Sequence, residues 1–444
     1  MNADQLLDAC DRVLSRVGGS AEAEVTVASG TDALTRFATS FIHQNVADAV
    51  SRIHLRVALD GHVAEAFGNQ TDDDALDRLV RSATEAARLR PPDPGWPGLT
   101  EPSPAPEVEH WDDATAWADP GARADRVGAF VSAAGGLETA GFCATEGTTI
   151  AFANSAGQRV AGRTTTAILD GIARTPTSDG SARAASVRLS DLNGRVAGEQ
   201  ATRRARTSAD PTDLEPGRYE VVLSPSCVGN VLGFLAIYGF NGRAVDEGRS
   251  FAKVGEAQFD PAITLVDDIA HPMTAGVAFD AEGTPKRRIE LVTGGVTRGL
   301  VHDRRTAKAL GAESTGHAVE GAGQWGALPS NLVLEPGERS EDDLVASMER
   351  GLLVTDLWYT RILDPRTMVV TGLTRNGVWL VENGKISRPV SNLRFTQSYL
   401  EALGPGAVRA VGSDAELVTG TFGGTWAVPS LHLASWNFTG GAKG

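Results

Sequence analysis

The sequence predicts an α+β fold, with N-terminal α+β units followed by a larger antiparallel β-rich domain around a central buried helix, and three stretches carry that prediction. Residues 1–90 read as helix, meander and helix. The run R-P-P-D-P-G-W-P-G-L-T-E-P-S-P-A-P at 90–106 holds too many prolines for a helix or a central strand, and so reads as a linker. From about Gly217 onward, short apolar runs alternate with glycine turns around one long apolar helical run, Pro225 to Tyr238.

In chain order, Leu6, Leu7, Cys10, Val13 and Leu14 share one stripe, which predicts a helix over 3–17 with Asp4 near its start. Strands are expected at 23–28, 34–37 and 50–58, the last alternating as Ile53, Leu55 and Val57. Asp60-Gly61 predicts a tight hairpin into a strand at 63–67. Asp72 is placed to cap a helix over 74–88 with Leu76, Leu79, Val80 and Ala83 inward. These elements form the expected first domain, 1–90, followed by the linker 91–106. The middle α+β region, 107–210, is read as a helix over 119–134, strands at 141–146, 148–154 and 159–169, and a helix over 197–209. The C-terminal domain, 211–444, adds helices at 304–310 and 340–351 and hairpin signals at 280–283, 293–295, 375–377 and 382–384.

The central helix follows an apolar strand, Val221 to Leu223, through Ser224-Pro225. Ser224 suits the N-cap, and Pro225 the first helical position, where its missing N–H is not needed. Val228, Val231, Leu232, Leu235 and Tyr238 recur at helical spacing, and Phe234, Ala236 and Ile237 fill the other faces, so burial nearly all round is expected, with Gly239 as the stop. The run contains no His, Asp, Glu or Lys. Cys227 is its one candidate nucleophile, because first-turn N–H groups favour a thiolate. A lone cysteine among apolar residues is more often a small core residue, and that reading is favoured while the nucleophile stays open.

Composition excludes several classes. A formal charge of −15 argues against nucleic acid as the main partner, and Arg203-Arg204-Ala205-Arg206 reads as a solvated helix face. No apolar run approaches the ~18 residues of a membrane span, and the acidic, amphipathic N-terminus does not read as a signal peptide. Three separated cysteines, Cys10, Cys143 and Cys227, suit a reducing cytoplasm. None of the eight histidines pairs with another at helical ligand spacing. His54 and His62 straddle the Asp60-Gly61 turn and read as surface residues, and Asp267-Asp268 as solvated acids. Gly294-Gly295 and Gly423-Gly424 lack the lysine and the strand-to-helix setting of a phosphate loop. The polar stretch 311–317, with Gly321 and Gly323 after it, is expected to be either disordered or functional.

Several motifs fall in a specific order: D-D-D-A-L-D-R-L at 72–79, N-S-A-G at 154–157, E-P-G-R-Y-E-V-V-L-S-P at 215–225, T-A-K-A-L-G-A-E-S-T-G-H-A at 306–318, N-L-V-L-E-P-G at 331–337 and V-E-N-G-K-I-S-R-P-V at 381–390. In this order and spacing the chain resembles the TldD/PmbA family of zinc metallopeptidase proteins, in which two related subunits, TldD and TldE, pair. The family's catalytic subunit carries H-E-x-x-x-H on the helix after the V-V-L-x-P strand. The resemblance places Gly233 and Phe234 at the H-E pair and Tyr238 at the second histidine, and no cysteine follows Cys227 to supply the later ligand. It therefore implies a TldE-type subunit, inactive alone and without a cofactor of its own, with zinc held by a TldD-like partner in a heterodimer that cleaves small unfolded peptides. A stand-alone peptide-binding homodimer and a Cys227-dependent hydrolase are the alternatives. The apolar helix suggests that the lost site has become core packing.

Overall fold

The computed structural model describes residues 1–19, 21–320, 325–419 and 424–441, so Gly321, Gly323 and Gly423 lie outside the described residues. The first helix is Ala3–Val17, with Asp4 in its first turn as expected, and Asn2 caps it: the Asn2 side chain accepts from the Gln5 amide while the Gln5 side chain accepts from the Asn2 N–H. Asp72 caps the helix Asp73–Leu89 as expected.

A six-stranded antiparallel sheet runs in the order His62–Gly68, Phe41–Leu59, Glu22–Ala38, Glu138–Asn154, Arg159–Arg174, Asp179–Ser186. The runs expected at 23–28 and 34–37 are one strand, and the strand expected to begin at 50 begins at Phe41. The missed residues, among them Ser29, Asp32, Gln44 and Asp48, are polar because this half of the hairpin is largely in water, which removes the alternation that marks a half-buried strand. The Asp60-Gly61 hairpin is present, with φ of 51° and 80° at its two residues.

Segments 1–90 and 107–210 each contribute three strands to this single sheet. Strand Glu22–Ala38 pairs with Glu138–Asn154 from Glu24↔Asn154 to Phe37↔Gly141. The two expected units are thus one layer, because pairing between distant strands leaves no local trace in sequence. Ala3–Val17 and Asp73–Leu89 cover one end of the sheet over Val25, Val27, Leu55 and Val57. Helices Pro120–Ala133 and Gly194–Thr207 cover the other end over Phe37, Cys143 and Leu169. These two helices touch backbone to backbone: a Cβ on Gly198 would meet the Phe130 carbonyl at 2.4 Å.

The proline-rich segment contains neither helix nor strand, as its composition predicts, but it is tied down along its length. Asp93 pairs with Arg305, the Trp96 carbonyl accepts from Lys308 Nζ at 2.8 Å, and Thr100 Oγ1 donates to the Glu282 carbonyl at 2.7 Å. It straps the N-terminal sheet to the C-terminal region.

In that region the helix Pro225–Tyr238 packs between two sheets. The nine-stranded sheet places Gly217–Leu223 parallel to Arg350–Val354 and antiparallel to Leu431–Gly441. A second, six-stranded sheet contains Leu265–Asp267, Leu332–Leu334 and Thr425–Val428. Turns at Gly294-Gly295 and Asn383-Gly384 close hairpins as read. Asn376-Gly377 does not: Val369–Thr374 and Val378–Glu382 pair with other neighbours. The helix expected over 340–351 ends at Ala346, and Arg350 starts a strand.

Candidate functional site on the central helix

Ser224 takes the extended N-cap conformation, Pro225 opens the helix and Gly239 follows it. Gly239 is needed for room, since a Cβ there would meet the Phe251 ring at 2.3 Å. Cys227, Val228, Val231, Leu232, Leu235 and Ala236 are 0–2% exposed. Ser226, Asn230, Gly233, Phe234 and Tyr238 are only half-buried. Four of these stand at i, i+4 spacing, so they form one stripe. The expectation of burial all round is therefore corrected: the helix keeps one open face. Sequence hides it because Phe234 and Tyr238 have core-like side chains.

The three positions singled out by the family pattern, Gly233, Phe234 and Tyr238, all lie on that face. Phe234 stacks on Tyr238 with centroids 6.1 Å apart and meets Tyr399 edge-on at 5.9 Å. Tyr238 in turn meets Trp325 edge-on at 6.2 Å. Gly233 sits under the Trp426 ring, which a Cβ would approach to 3.0 Å. Further along, Asn230 Nδ2 donates to Thr360 Oγ1 at 3.0 Å, and Arg183 Nη1 donates to Ser226 Oγ at 3.2 Å. These groups do not fit zinc. Gly233 and Phe234 offer no donor atom, and burial pushes the Tyr238 phenol above its ordinary pKa, so it is not a phenolate at neutral pH. Among the described residues no cluster of three or more His, Cys, Asp or Glu is arranged to hold a metal. Because its ring is half-buried, Phe234→Ala is expected to destabilise the fold by about 2 kcal/mol, below the range for a fully buried phenylalanine. Urea unfolding checks this, and a loss of ~4 kcal/mol or more would show the ring to be true core.

Cys227 points the other way. Its side chain is fully buried, Sγ donates to the Val354 carbonyl at 3.3 Å, and burial drives the thiol well above its ordinary pKa. The first-turn N–H groups favour a thiolate, but desolvation outweighs them. The Cys227-dependent hydrolase reading is therefore corrected, since a nucleophile needs both ionisation and access.

Other candidates move as well. His54 is buried, not a surface residue; it stacks on Phe67 at 4.6 Å and lies 3.4 Å from Glu65. His62 instead contacts the Arg90 carbonyl, so the two histidines do not face each other. Arg204 is half-buried and donates to the Ser181 carbonyl at 2.9 Å, while Arg203 and Arg206 are exposed. Asp267, expected in solvent, is 1% exposed and accepts from His317 Nε2 at 2.9 Å, the Ser330 N–H at 2.7 Å and the Asn331 N–H at 2.8 Å. The end of the 311–317 stretch is thus built into the core through His317. No local pattern links Asp267 to His317, so sequence reasoning missed the pair.

Comparison with known proteins places this geometry. The PmbA/TldA metallopeptidase C-terminal domain matches residues 216–440. The chain is 27% identical over 233 residues to a metalloprotease of Methanothermobacter thermautotrophicus, covering 52% of this chain and 50% of that protein. It is 24% identical over 238 residues to the metalloprotease TldD homolog of Haemophilus influenzae, covering 52% and 49%. The chain spans about half the length of the curated relatives it matches. The crystal structure of TldE from Thermococcus kodakarensis superposes with a TM-score of 0.86 over 98% of this chain and 99% of that one; at 20% identity the likeness is one of fold. The chain belongs to the TldD/PmbA family.

Proposed function

We propose that this chain is the non-catalytic, TldE-type subunit of a heteromeric zinc peptidase that degrades small unfolded peptides, with the chemistry carried by a separate TldD-like chain. One observation carries the reading: the helix face where the family pattern has its metal ligands is open, yet holds Gly233, Phe234 and Tyr238, backed by Tyr399, Trp325 and Trp426. An open face without a set of metal ligands suits a wall of a chamber shared with the partner. The metalloprotease names of the relatives and the TldE fold support the same assignment. A cytoplasmic location belongs to this reading and is supported by three free, buried cysteines. Among the described residues no helix is long and apolar enough to cross a membrane.

The test is co-expression with a TldD-like chain. The mixture is expected to hydrolyse an unstructured peptide and to lose that activity with a chelator, while this chain alone stays inactive. Hydrolysis by this chain alone, as fast as by the mixture and with chelator present, would refute the proposal. A stable homodimer that ignores the TldD-like chain in light scattering would favour the stand-alone peptide binder.

A further inference from the structure

A cleft of about 410 Å³ lies between the N-terminal sheet and the C-terminal region. Thr26, Ile150 and Thr164 line it on the sheet side; Val277, Phe279, Lys286 and two acids, Asp280 and Glu320, line it on the other. The half-buried Lys286 donates from Nζ to Ser330 Oγ and to Asn331 Oδ1, the latter at 2.8 Å. Both acceptors are neutral, and among the described residues no carboxylate comes within ion-pair distance of this ammonium. Asp267 and Asp280 act on it only from farther away.

Those two carboxylates are committed elsewhere. Asp267 accepts from His317, Ser330 and Asn331, and Asp280 accepts from the N–H groups of Glu282, Thr284 and Ala318. Asn331 is held by its Nδ2 bond to the Ala275 carbonyl at 2.8 Å, which turns Oδ1 toward Lys286. The buried Asp267–His317 pair thus fixes the Ser330-Asn331 backbone, and the Ser330 and Asn331 side chains position the ammonium without forming an ion pair with it. An ammonium has three donors, and two are used here. Burial lowers the pKa of Lys286, and Asp267 and Asp280 offset only part of that shift.

We propose that Lys286 is the anion-recognising group of a binding site in this cleft, which takes an organic carboxylate joined to a small apolar group. Ile150, Val277 and Phe279 supply the apolar wall, and the spare ammonium donor meets the carboxylate. A single cation suits a monoanion. A phosphate dianion would face Asp280 and Glu320, with Asp267 behind Lys286 and no second Lys or Arg among the described lining residues to offset them. A peptide C-terminus and a free short-chain acid share the favoured chemistry; the peptide source rests on the function proposed above, the carboxylate site does not.

The test titrates the 444-residue chain with acetyl-Ala-Leu, with its C-terminal amide and with 4-methylpentanoate, followed by calorimetry or by shifts of assigned NMR signals. The acid is expected to bind at least about tenfold tighter than the amide, and Lys286→Met to lower acid affinity to that of the amide while leaving the amide unchanged. Tighter binding of the peptide acid than of 4-methylpentanoate assigns a peptide C-terminus; equal or tighter binding of 4-methylpentanoate assigns a free acid. Equal binding of acid and amide by the wild type overturns the site, as does no binding by any probe at millimolar concentration. If Lys286→Met fails to fold, the wild-type comparison of acid and amide decides by itself. Hydrolysis is not read, so acid binding by a chain that never supports a partner's activity would sink the peptidase role alone.

Discussion

Asp267→Ala is expected to destabilise the chain by about 3–5 kcal/mol, read as a lowered urea midpoint, because it leaves a buried imidazole and two buried N–H groups without their acceptor. Asp267→Asn keeps the shape and one acceptor oxygen and should lose less. The pair also sets a pH dependence. Burial on its own raises the Asp267 pKa, but His317, Lys286 and the N–H donors outweigh it and hold the carboxyl below its ordinary value. A folded pKa below the unfolded value of ~3.9 means that the contribution is fully present above pH ~4 and is lost as pH falls through the folded value. The stability gap between wild type and Asp267→Asn should therefore narrow only in acid. A gap of constant size from neutral pH to pH ~2 would show that the charge of Asp267 contributes nothing.

Trp436→Ala is the second large loss expected, about 3–5 kcal/mol. The indole is 1% exposed and packs 5.3 Å from Phe395 and 5.6 Å from Tyr399, and Tyr399 supports Phe234 on the open helix face. The deletion undermines that face from behind, so it should cost more than Phe234→Ala, which removes a ring that water already reaches. Thermal and urea unfolding of both variants give the comparison. A smaller loss for Trp436→Ala than for Phe234→Ala would reverse this picture of which aromatic residues are core.

Much of the fold was legible where local signals are strong. Asp72 and Asp119 marked helix starts, Asp60-Gly61 marked a hairpin, and prolines marked the strap. What the sequence hid was set by partners far along the chain. The outer half of the long hairpin looked like loop because water replaces a packing partner there. The candidate face on the central helix was located through Gly233, Phe234 and Tyr238, but its openness was not, since periodicity cannot tell an aromatic side chain in a core from one lining a cleft. Asp267 read as a solvated acid because its acceptor role depends on His317 and the Ser330-Asn331 backbone. Arg204 read as solvated for the same reason: the Ser181 carbonyl that accepts its hydrogen bond lies on another element.

The pairing of Glu22–Ala38 with Glu138–Asn154, and of Gly217–Leu223 with Leu431–Gly441, also sets the order of assembly. During synthesis the first long hairpin emerges with an unpaired edge and keeps it until residue 154 is available. The strand that launches the central helix waits for residues 351–354 on one side and 431–438 on the other. Contacts this distant in sequence close loops before they return stabilising energy, a topology that favours slow folding. The polar outer half of the hairpin, with Asp32 and Arg36 exposed on the late-paired strand Glu22–Ala38, then has a second role: it keeps an open strand edge from joining other copies while the rest of the protein is made.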